Sequence, residues 1–239
     1  MRPALKHIPR TERLIAALDV PDTAKARALV ESLGDSVSFY KVGLELFMAG
    51  GVFEFIDWLI GRGNKVFADF KFFDIPETVG AAVRGLRDRG ISFATVHGNQ
   101  AMLDAAGKAK GSVKILAVTV LTSLDQGDLD DLGFQCDIED LVLSRARRAL
   151  EAGCDGVVSS GIEAPALKRE LGDRLLIVTP GIRPVQNRTT DDQKRTVDVA
   201  QAFANGADYI VVGRPIREAP DPRAAAQAIQ VTIAGLFPS

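Results

Sequence analysis

The chain has 239 residues, of which 46% are hydrophobic and 25% charged, and its 29 basic and 31 acidic residues give a net charge of −2. These proportions are typical of a soluble globular protein and exclude an intrinsically disordered chain, a collagen and a coiled coil. Because the charge is balanced and no long Lys/Arg block is present, we expect neither nucleic acid nor an anionic membrane as a partner.

The chain contains only two cysteines, Cys136 and Cys154, and no CxxC pair. This excludes a disulfide framework and a zinc cluster, and it favours a reducing, cytoplasmic location. The apolar stretches have the length of strands, so we expect neither a secretory signal nor a membrane span.

Eight short runs rich in Val, Ile, Leu and Phe are the predicted strands. They begin at residues 13, 38, 65, 92, 113, 155, 175 and 209. Most of them lack the alternation of apolar and polar residues, which is typical of parallel strands that are covered on both faces.

Amphipathic patterns between the runs predict helices, as in Val52, Phe55, Ile56 and Leu59, which share one helical face. Six glycines are predicted at helix ends, where a left-handed backbone favours a residue without Cβ: Gly34, Gly63, Gly90, Gly153, Gly172 and Gly206. Strand–helix units average about 28 residues, so the predicted fold class is α/β, a single (β/α)8 TIM barrel that forms one domain over residues 1–239. A doubly wound open sheet is the alternative, but no GxGxxG follows the first strand.

Two connections are longer than a strand–helix unit requires. Residues 123–140 carry seven acidic residues and no basic one, and we interpret them as a solvated loop with a short helical turn. Residues 183–195 are polar with basic ends, which favours a lid over a bound anion.

Polar and charged side chains follow the predicted strands at their carboxyl ends, where barrel enzymes carry their working residues. In chain order they are Asp19, Lys41, Asp69, Lys71, Asp74, His97, Thr122, Ser159, Arg183, Gly213 and Arg214. His97 has no second histidine nearby for a zinc site, so we interpret it as a supporting residue. Ser159 has no neighbouring base and no GxSxG around it, so we do not expect a nucleophilic serine.

The densest group is Asp69, Lys71 and Asp74. Side chains alternate along a strand, so Asp69 and Lys71 are predicted to point into the barrel mouth while Phe70 packs against a helix. Neighbouring carboxylates favour the ammonium form of Lys71, which suits a proton donor better than a Schiff-base nucleophile. The alternative is that these charges only close the barrel top as ion pairs.

The last two strand ends read PGIRP and VVGRPI. Loops after strands seven and eight commonly form a phosphate site in barrels. Gly181 and Gly213 allow close approach of backbone N–H groups, and Arg183 and Arg214 can donate to phosphate oxygens. These two loops therefore predict a phosphorylated ligand.

Seven segments together resemble the orotidine 5′-monophosphate decarboxylase family over nearly the whole chain. They are LIAALDVPD, YKVGLELF, FADFKFFDIPETV, LAVTVLTS, VTPGIRP, DQKR and DYIVVGRPI. The resemblance implies a decarboxylation of orotidine 5′-monophosphate to uridine 5′-monophosphate and CO2, in pyrimidine biosynthesis, without metal or other cofactor. It assigns Lys71 as the acid that protonates C6 of the pyrimidine and Asp69 as the neighbour of the substrate carboxylate.

The same resemblance implies the remaining substrate contacts. The phosphate would meet Arg214, Gly213 and Gln193, with Arg183 close by. Asp19, Lys41 and Thr78 would serve the ribose and the alternating charges that include Asp69, Lys71 and Asp74. Thr122, or alternatively Ser123, would meet the pyrimidine edge. The resemblance also implies a homodimer in which Asp74 reaches into the partner's site.

Two alternatives remain at this point. A metal-dependent sugar-phosphate lyase of the same superfamily shares the DxKxxD pattern, but it has an acidic metal ligand where this chain has Lys41, and an ammonium would repel the metal. A non-catalytic barrel that binds nucleotide phosphate would retain the two Gly-Arg loops without needing Asp69, Lys71 and Asp74.

Overall fold

The computed structural model describes residues 7–183 and 195–238, and its strands lie where the sequence predicts them. Each strand begins within one residue of its predicted start. The strands are β1 (Leu14–Ala17), β2 (Phe39–Gly43), β3 (Lys65–Phe72), β4 (Phe93–Val96), β5 (Lys114–Val118), β6 (Gly156–Val158), β7 (Leu176–Thr179) and β8 (Tyr209–Val212).

Helices follow the strands along the chain. They are α1 (Thr23–Leu33), α2 (Leu44–Met48), α3 (Val52–Gly61), α4 (Pro76–Arg87), α5 (Gln100–Ala109), α6 (Gln126–Asp131), α7 (Ile138–Glu151), α8 (Ala164–Leu171), α9 (Val199–Ala204), α10 (Arg214–Arg217) and α11 (Pro222–Leu236), with short 3-10 turns at Arg10–Glu12 and Gly34–Ser36. In the described part of the chain, none of these helices has both the length and the apolar character that crossing a membrane requires.

The strands form a closed parallel barrel in sequence order, in which β8 pairs with β1. This confirms the predicted (β/α)8 TIM barrel. Closure removes the two free edges that an open sheet would expose, and it brings all eight carboxyl ends to one rim.

Side-chain alternation along the strands divides the apolar residues into two cores. Outward residues such as Leu14, Tyr40 and Ala68 pack against the helices. Inward residues fill the barrel: Ile15, Ala17, Phe39, Phe67, Phe93, Leu116, Leu176, Val178, Tyr209 and Val211. Side chains therefore fill the interior of the barrel below its carboxyl rim, and the rim is where a barrel ligand is expected.

The six predicted helix-end glycines all have positive φ, which confirms the need for glycine there. The acidic stretch 123–140 is explained by helix capping. Asp125 accepts from the Asp128 amide at the start of α6, and Asp137 accepts from the Asp140 amide at the start of α7. The predicted short helical turn is thus α6, and several of the carboxylates there stabilise helix N-termini.

Candidate active site

A cavity of about 360 Å³ opens at the carboxyl rim of the barrel. It collects most of the site residues that the sequence predicts: Asp19, Lys41, Asp69, Lys71, Thr122, Ser123, Gly181, Arg183, Gly213 and Arg214. Residues from six strand ends therefore meet in one place, as the barrel topology predicts.

Four of the charged side chains form a continuous alternating series, which we call the charged network: Asp19, Lys41, Asp69 and Lys71. The Lys41 ammonium lies 2.8 Å from Asp19 Oδ1 and 3.5 Å from Asp69 Oδ2. The Lys71 ammonium donates to Asp69 Oδ1 at 2.9 Å. Each interior charge thus has an opposite neighbour, which offsets the cost of removing it from water.

Lys41 and Asp69 are buried, with 9% and 8% of their surface exposed. Burial alone disfavours the Lys41 ammonium, but the attraction of Asp69 and Asp19 outweighs it and the pKa of Lys41 lies above its ordinary value. Burial alone likewise disfavours the Asp69 carboxylate, but Lys41, Lys71 and hydrogen bonds from Lys71 and Thr95 hold its pKa below its ordinary value. Both groups are therefore charged at neutral pH.

An aromatic layer formed by Phe39, Phe67, Phe93 and Tyr209 lies one pleat below the charged network. Phe39 and Phe93 have ring centroids 5.0 Å apart, and Phe93 meets Tyr209 edge-on at 5.1 Å. The alternation that places Phe67 inside the barrel also places Asp69 there, two residues further along β3. Because the layer excludes water from below, charges at the rim interact more strongly than they would in solvent.

Gly43, at the end of β2, makes room for the network. A Cβ at this position would lie 2.9 Å from Lys41 Nζ, closer than Cβ atoms normally approach, and 3.0 Å from Asp19 Oδ1, a tight contact. The glycine in YKVGLELF is thus required by the ion pair beside it. Sequence reasoning missed this role, because only the folded structure shows which side chain occupies the space.

The backbone of β3 is irregular where the network crosses it. Lys71 has φ +49°, in the left-handed region that residues with a Cβ rarely adopt. The pairing of β3 with β4 shifts register between Ala68 and Phe72. Lys71 therefore reaches the cavity from a bulge, and not through the simple alternation that the sequence analysis assumed, although Phe70 packs on Phe47 of α2 as predicted.

The other side of the cavity is basic. Arg183 and Arg214 both line it, together with Arg217, which the sequence analysis did not single out. Arg217 Nη1 donates to the backbone oxygen of Asp19 at 2.6 Å, which ties α10 to the end of β1. A Cβ at Gly213 would lie 3.8 Å from Asp19 Oδ2, so the basic side adjoins the charged network.

Some predicted residues lie apart from this cavity. Asp74 and Thr78 are exposed beside it, and Asp74 Oδ1 accepts from the Ile75 amide. His97 is half-buried against Phe73, and its pKa is lowered by burial and by the nearby charges of Arg145 and Lys71, so it is neutral at physiological pH. Gln193 and the greater part of the predicted lid lie outside the described residues.

A buried ion pair, which the sequence analysis also missed, connects three loops at the rim. Arg195 Nη1 donates to Glu163 Oε1, and Arg195 Nη2 donates to the backbone oxygens of Val120 and Leu121. Arg195 and Glu163 are 8% and 6% exposed. The pair stabilises the loop that carries Thr122 into the cavity.

Among residues 7–183 and 195–238, no group of three or more His, Cys, Asp and Glu side chains is arranged to hold a metal ion. Lys41, at the end of β2, occupies the position of the acidic metal ligand expected in a metal-dependent sugar-phosphate lyase. Its ammonium lies 2.8 Å from Asp19.

Comparisons by sequence and by structure both find proteins named orotidine 5′-phosphate decarboxylase. A protein of Methylococcus capsulatus named orotidine 5′-phosphate decarboxylase is 66% identical over 232 residues, which cover 97% of this chain and 96% of that protein. A protein of the same name from Stenotrophomonas maltophilia is 53% identical over 225 residues, covering 93% of each chain. The crystal structure of orotidine 5′-phosphate decarboxylase from Lactobacillus acidophilus superposes with a TM-score of 0.81 at 36% identity, covering 93% of this chain and 99% of that chain.

The family model described as "Orotidine 5′-phosphate decarboxylase / HUMPS family" matches residues 12–229. This range contains the whole barrel from β1 to β8 and every residue of the charged network. The chain therefore belongs to the orotidine 5′-phosphate decarboxylase / HUMPS family.

Proposed function

We propose that this chain is a carboxy-lyase that converts orotidine 5′-phosphate to uridine 5′-phosphate and CO2, a step of pyrimidine biosynthesis. The observation that carries the proposal is the charged network, which ends in the partly exposed Lys71 ammonium at the cavity. The names of the relatives agree with this reaction. The cytoplasmic location expected from the cysteines stays a prediction.

Lys71 is the proposed acid. Loss of CO2 leaves an electron pair on C6 of the pyrimidine, and the Lys71 ammonium stabilises that charge and then donates its proton to C6. Asp69, which accepts from Lys71 at 2.9 Å, holds the ammonium in place. The site needs no external acid in this scheme, because the donor is part of the network.

Asp69 has a second proposed role beside the substrate carboxylate. Two unit charges about 4 Å apart repel by about 4 kcal/mol at an effective dielectric constant near 20, and departure of CO2 relieves that repulsion. Enzymes lower their barriers by about 8 kcal/mol or more, so repulsion alone is insufficient. The remainder comes from the Lys71 ammonium and from binding energy at the distant phosphate.

The proposed phosphate site is the basic side of the cavity. Arg183 and Arg214 lie there with Gly181 and Gly213, and Gln193 is the further contact that the family resemblance implies. Asp19 and Lys41 would bind ribose hydroxyls, and Thr122, or its neighbour Ser123, would meet the pyrimidine edge. Thr78 lies outside this cavity, so its proposed contribution is to a partner's site.

We also propose that the protein is a homodimer with Asp74 contributed across the interface. Asp74 lies between two exposed apolar side chains, Phe73 at 66% and Ile75 at 65% exposure. Large apolar side chains grouped on a surface favour association. The interface would carry Asp74 and Thr78 from one subunit to the cavity of the other.

Mixing two inactive variants tests this arrangement. In a heterodimer of Lys71→Ala and Asp74→Asn subunits, one cavity has its own Lys71 and the partner's Asp74, both intact. Random re-association then restores about a quarter of the wild-type sites. If Asp74 acts within its own subunit, or if the protein is monomeric by light scattering, mixing restores no activity.

The reaction itself is tested by the loss of ultraviolet absorbance when orotidine 5′-phosphate is mixed with purified protein in excess EDTA. The proposal predicts rapid conversion to uridine 5′-phosphate. Activity that appears only with Mg²⁺ would indicate the metal-dependent sugar-phosphate branch, which the position of Lys41 disfavours. Tight uridylate binding without conversion would indicate a non-catalytic binding protein.

A further inference from the structure

Thr95 lies directly beneath the charged network, at the interior position of β4 one pleat above Phe93. Its surface is completely buried, and it is not among the residues that line the cavity. Any influence that Thr95 has on a bound substrate must therefore pass through its neighbours.

The hydroxyl of Thr95 makes two hydrogen bonds of fixed direction. Its Oγ1 accepts from the Lys71 backbone N–H at 2.9 Å and lies 2.9 Å from Asp69 Oδ1. A hydroxyl carries one proton, an amide can only donate and a carboxylate can only accept. The Thr95 proton must consequently point at Asp69, so one side chain connects the backbone of Lys71 with the carboxylate of Asp69.

The hydrogen bond from the Lys71 amide to Thr95 takes the place of a backbone hydrogen bond that the sheet lacks at the bulge. From Ala68 to Phe72 the chain of β3 advances four residues, while β4 advances only two, from Ala94 to Val96. The regular ladder is interrupted across this bulge, and the Lys71 amide bonds to a side chain of β4 in place of a β4 carbonyl. Because Lys71 has φ +49°, its backbone needs such a contact to persist in this conformation.

The second bond orients Asp69. Its Oδ1 accepts from both Thr95 Oγ1 and Lys71 Nζ, each at 2.9 Å, which leaves Oδ2 towards Lys41 at 3.5 Å. Two donors on one oxygen restrict rotation of the carboxylate, and charge-assisted hydrogen bonds are the stronger kind. The hydroxyl therefore restrains the network at both Asp69 and Lys71.

We propose that Thr95 is a positioning residue for the reaction, whose hydroxyl fixes the Lys71 backbone and the Asp69 carboxylate so that the ammonium meets the reacting carbon. This inference rests on the proposed function, since it assigns Thr95 a part in the same proton transfer. It requires no contact between Thr95 and the substrate.

The test compares Thr95→Val, which keeps the shape and removes the hydroxyl, with Thr95→Ser, which keeps the hydroxyl. Thr95→Val is expected to lower kcat for orotidine 5′-phosphate by about 10- to 100-fold, the effect of losing a hydrogen bond to a charged group. KM and the Kd of uridylate should change little, because the phosphate contacts remain. Thr95→Ser should recover most of kcat.

Thr179→Val is the matched control. Thr179 is also a completely buried threonine at a strand end, and its Oγ1 has no hydrogen-bond partner within the described part of the chain. Removing that hydroxyl should leave kcat unchanged. If Thr95→Val does not fold, Thr95→Cys, with its weak thiol donor, is assayed by the same criteria.

Three results would overturn the inference: wild-type kcat in Thr95→Val, equal losses in Thr95→Val and Thr95→Ser, or a loss confined to KM. An inactive wild-type protein would instead contradict the proposed function. The two failures are thus distinguishable in one set of assays.

Discussion

At the scale of single residues, the Lys41 ammonium occupies the space that a side chain at position 43 would need. Gly43 has φ −106° and ψ −172°, a backbone conformation that alanine also adopts. The glycine is therefore required by its neighbours Lys41 and Asp19 and not by its own backbone.

Gly43→Ala should consequently fold normally but lose activity. The new methyl group would displace the flexible end of Lys41 from Asp19, and the shortened contacts would be relieved without moving the backbone. We expect a Tm close to that of the wild type together with a kcat/KM lowered by about 10-fold or more. A variant with full activity would show that the Lys41–Asp19 contact is dispensable, and Gly61→Ala, where nothing lies within 4 Å of the new Cβ, is the control.

Arg214 lies on the basic side of the cavity, where the phosphate is proposed to bind. Arg214→Ala should weaken capture of the phosphorylated substrate and lower kcat/KM for orotidine 5′-phosphate far more than for orotidine, which has no phosphate. Steady-state kinetics with both substrates measures this difference. Equal losses for the two substrates would place the phosphate elsewhere.

At the scale of elements, loops from different parts of the barrel are held together at the rim by Glu163 and Arg195. Glu163 precedes α8, and Arg195 precedes α9. From there Arg195 bonds to the loop after β5, and its backbone N–H donates to the Thr122 oxygen at 3.4 Å. This buried pair therefore determines where the cavity wall lies.

Glu163→Gln should lower the free energy of unfolding by about 3 kcal/mol, since it leaves the Arg195 guanidinium buried without an opposite charge. Urea unfolding measures the change. The exposed pair Arg147–Glu170 provides the comparison, because Glu170→Gln should cost less than about 1 kcal/mol. If both substitutions lowered the free energy of unfolding equally, burial would not make the Arg195–Glu163 pair more important for stability than an exposed pair.

At the scale of the whole molecule, the barrel was predictable because eight apolar runs at regular spacing admit few other parallel arrangements. The strand ends then identified Asp19, Lys41, Asp69 and Lys71, since every parallel strand ends at the same rim. Thr95 and Gly43 could not be found in this way. Their roles depend on a bulge and on a contact between side chains, and neither leaves a periodic pattern in the sequence.

The same network links stability of the whole molecule to pH. The folded-state pKa of Asp69 is below its ordinary value, so the unfolded chain binds more protons as pH falls and the folded state loses stability. The contribution of Asp69 is complete above about pH 4, the ordinary pKa of Asp, and disappears as pH falls through the lowered folded-state value. The difference in Tm between wild type and Asp69→Asn should therefore stay constant between about pH 6 and pH 4 and shrink below about pH 4. A difference that is constant with pH would show that Asp69 is not held in its charged form by folding.

The role of Lys71 is decided by the decarboxylation rate of Lys71→Ala measured beside that of Lys65→Ala. Lys65 lies at the opposite end of the same strand and pairs with Glu12. We predict that Lys71→Ala loses more than about 100-fold in turnover of orotidine 5′-phosphate while still binding uridylate, and that Lys65→Ala remains active. Wild-type turnover in Lys71→Ala would contradict the proposed mechanism, because it would show that the reaction does not need the Lys71 ammonium as its proton donor.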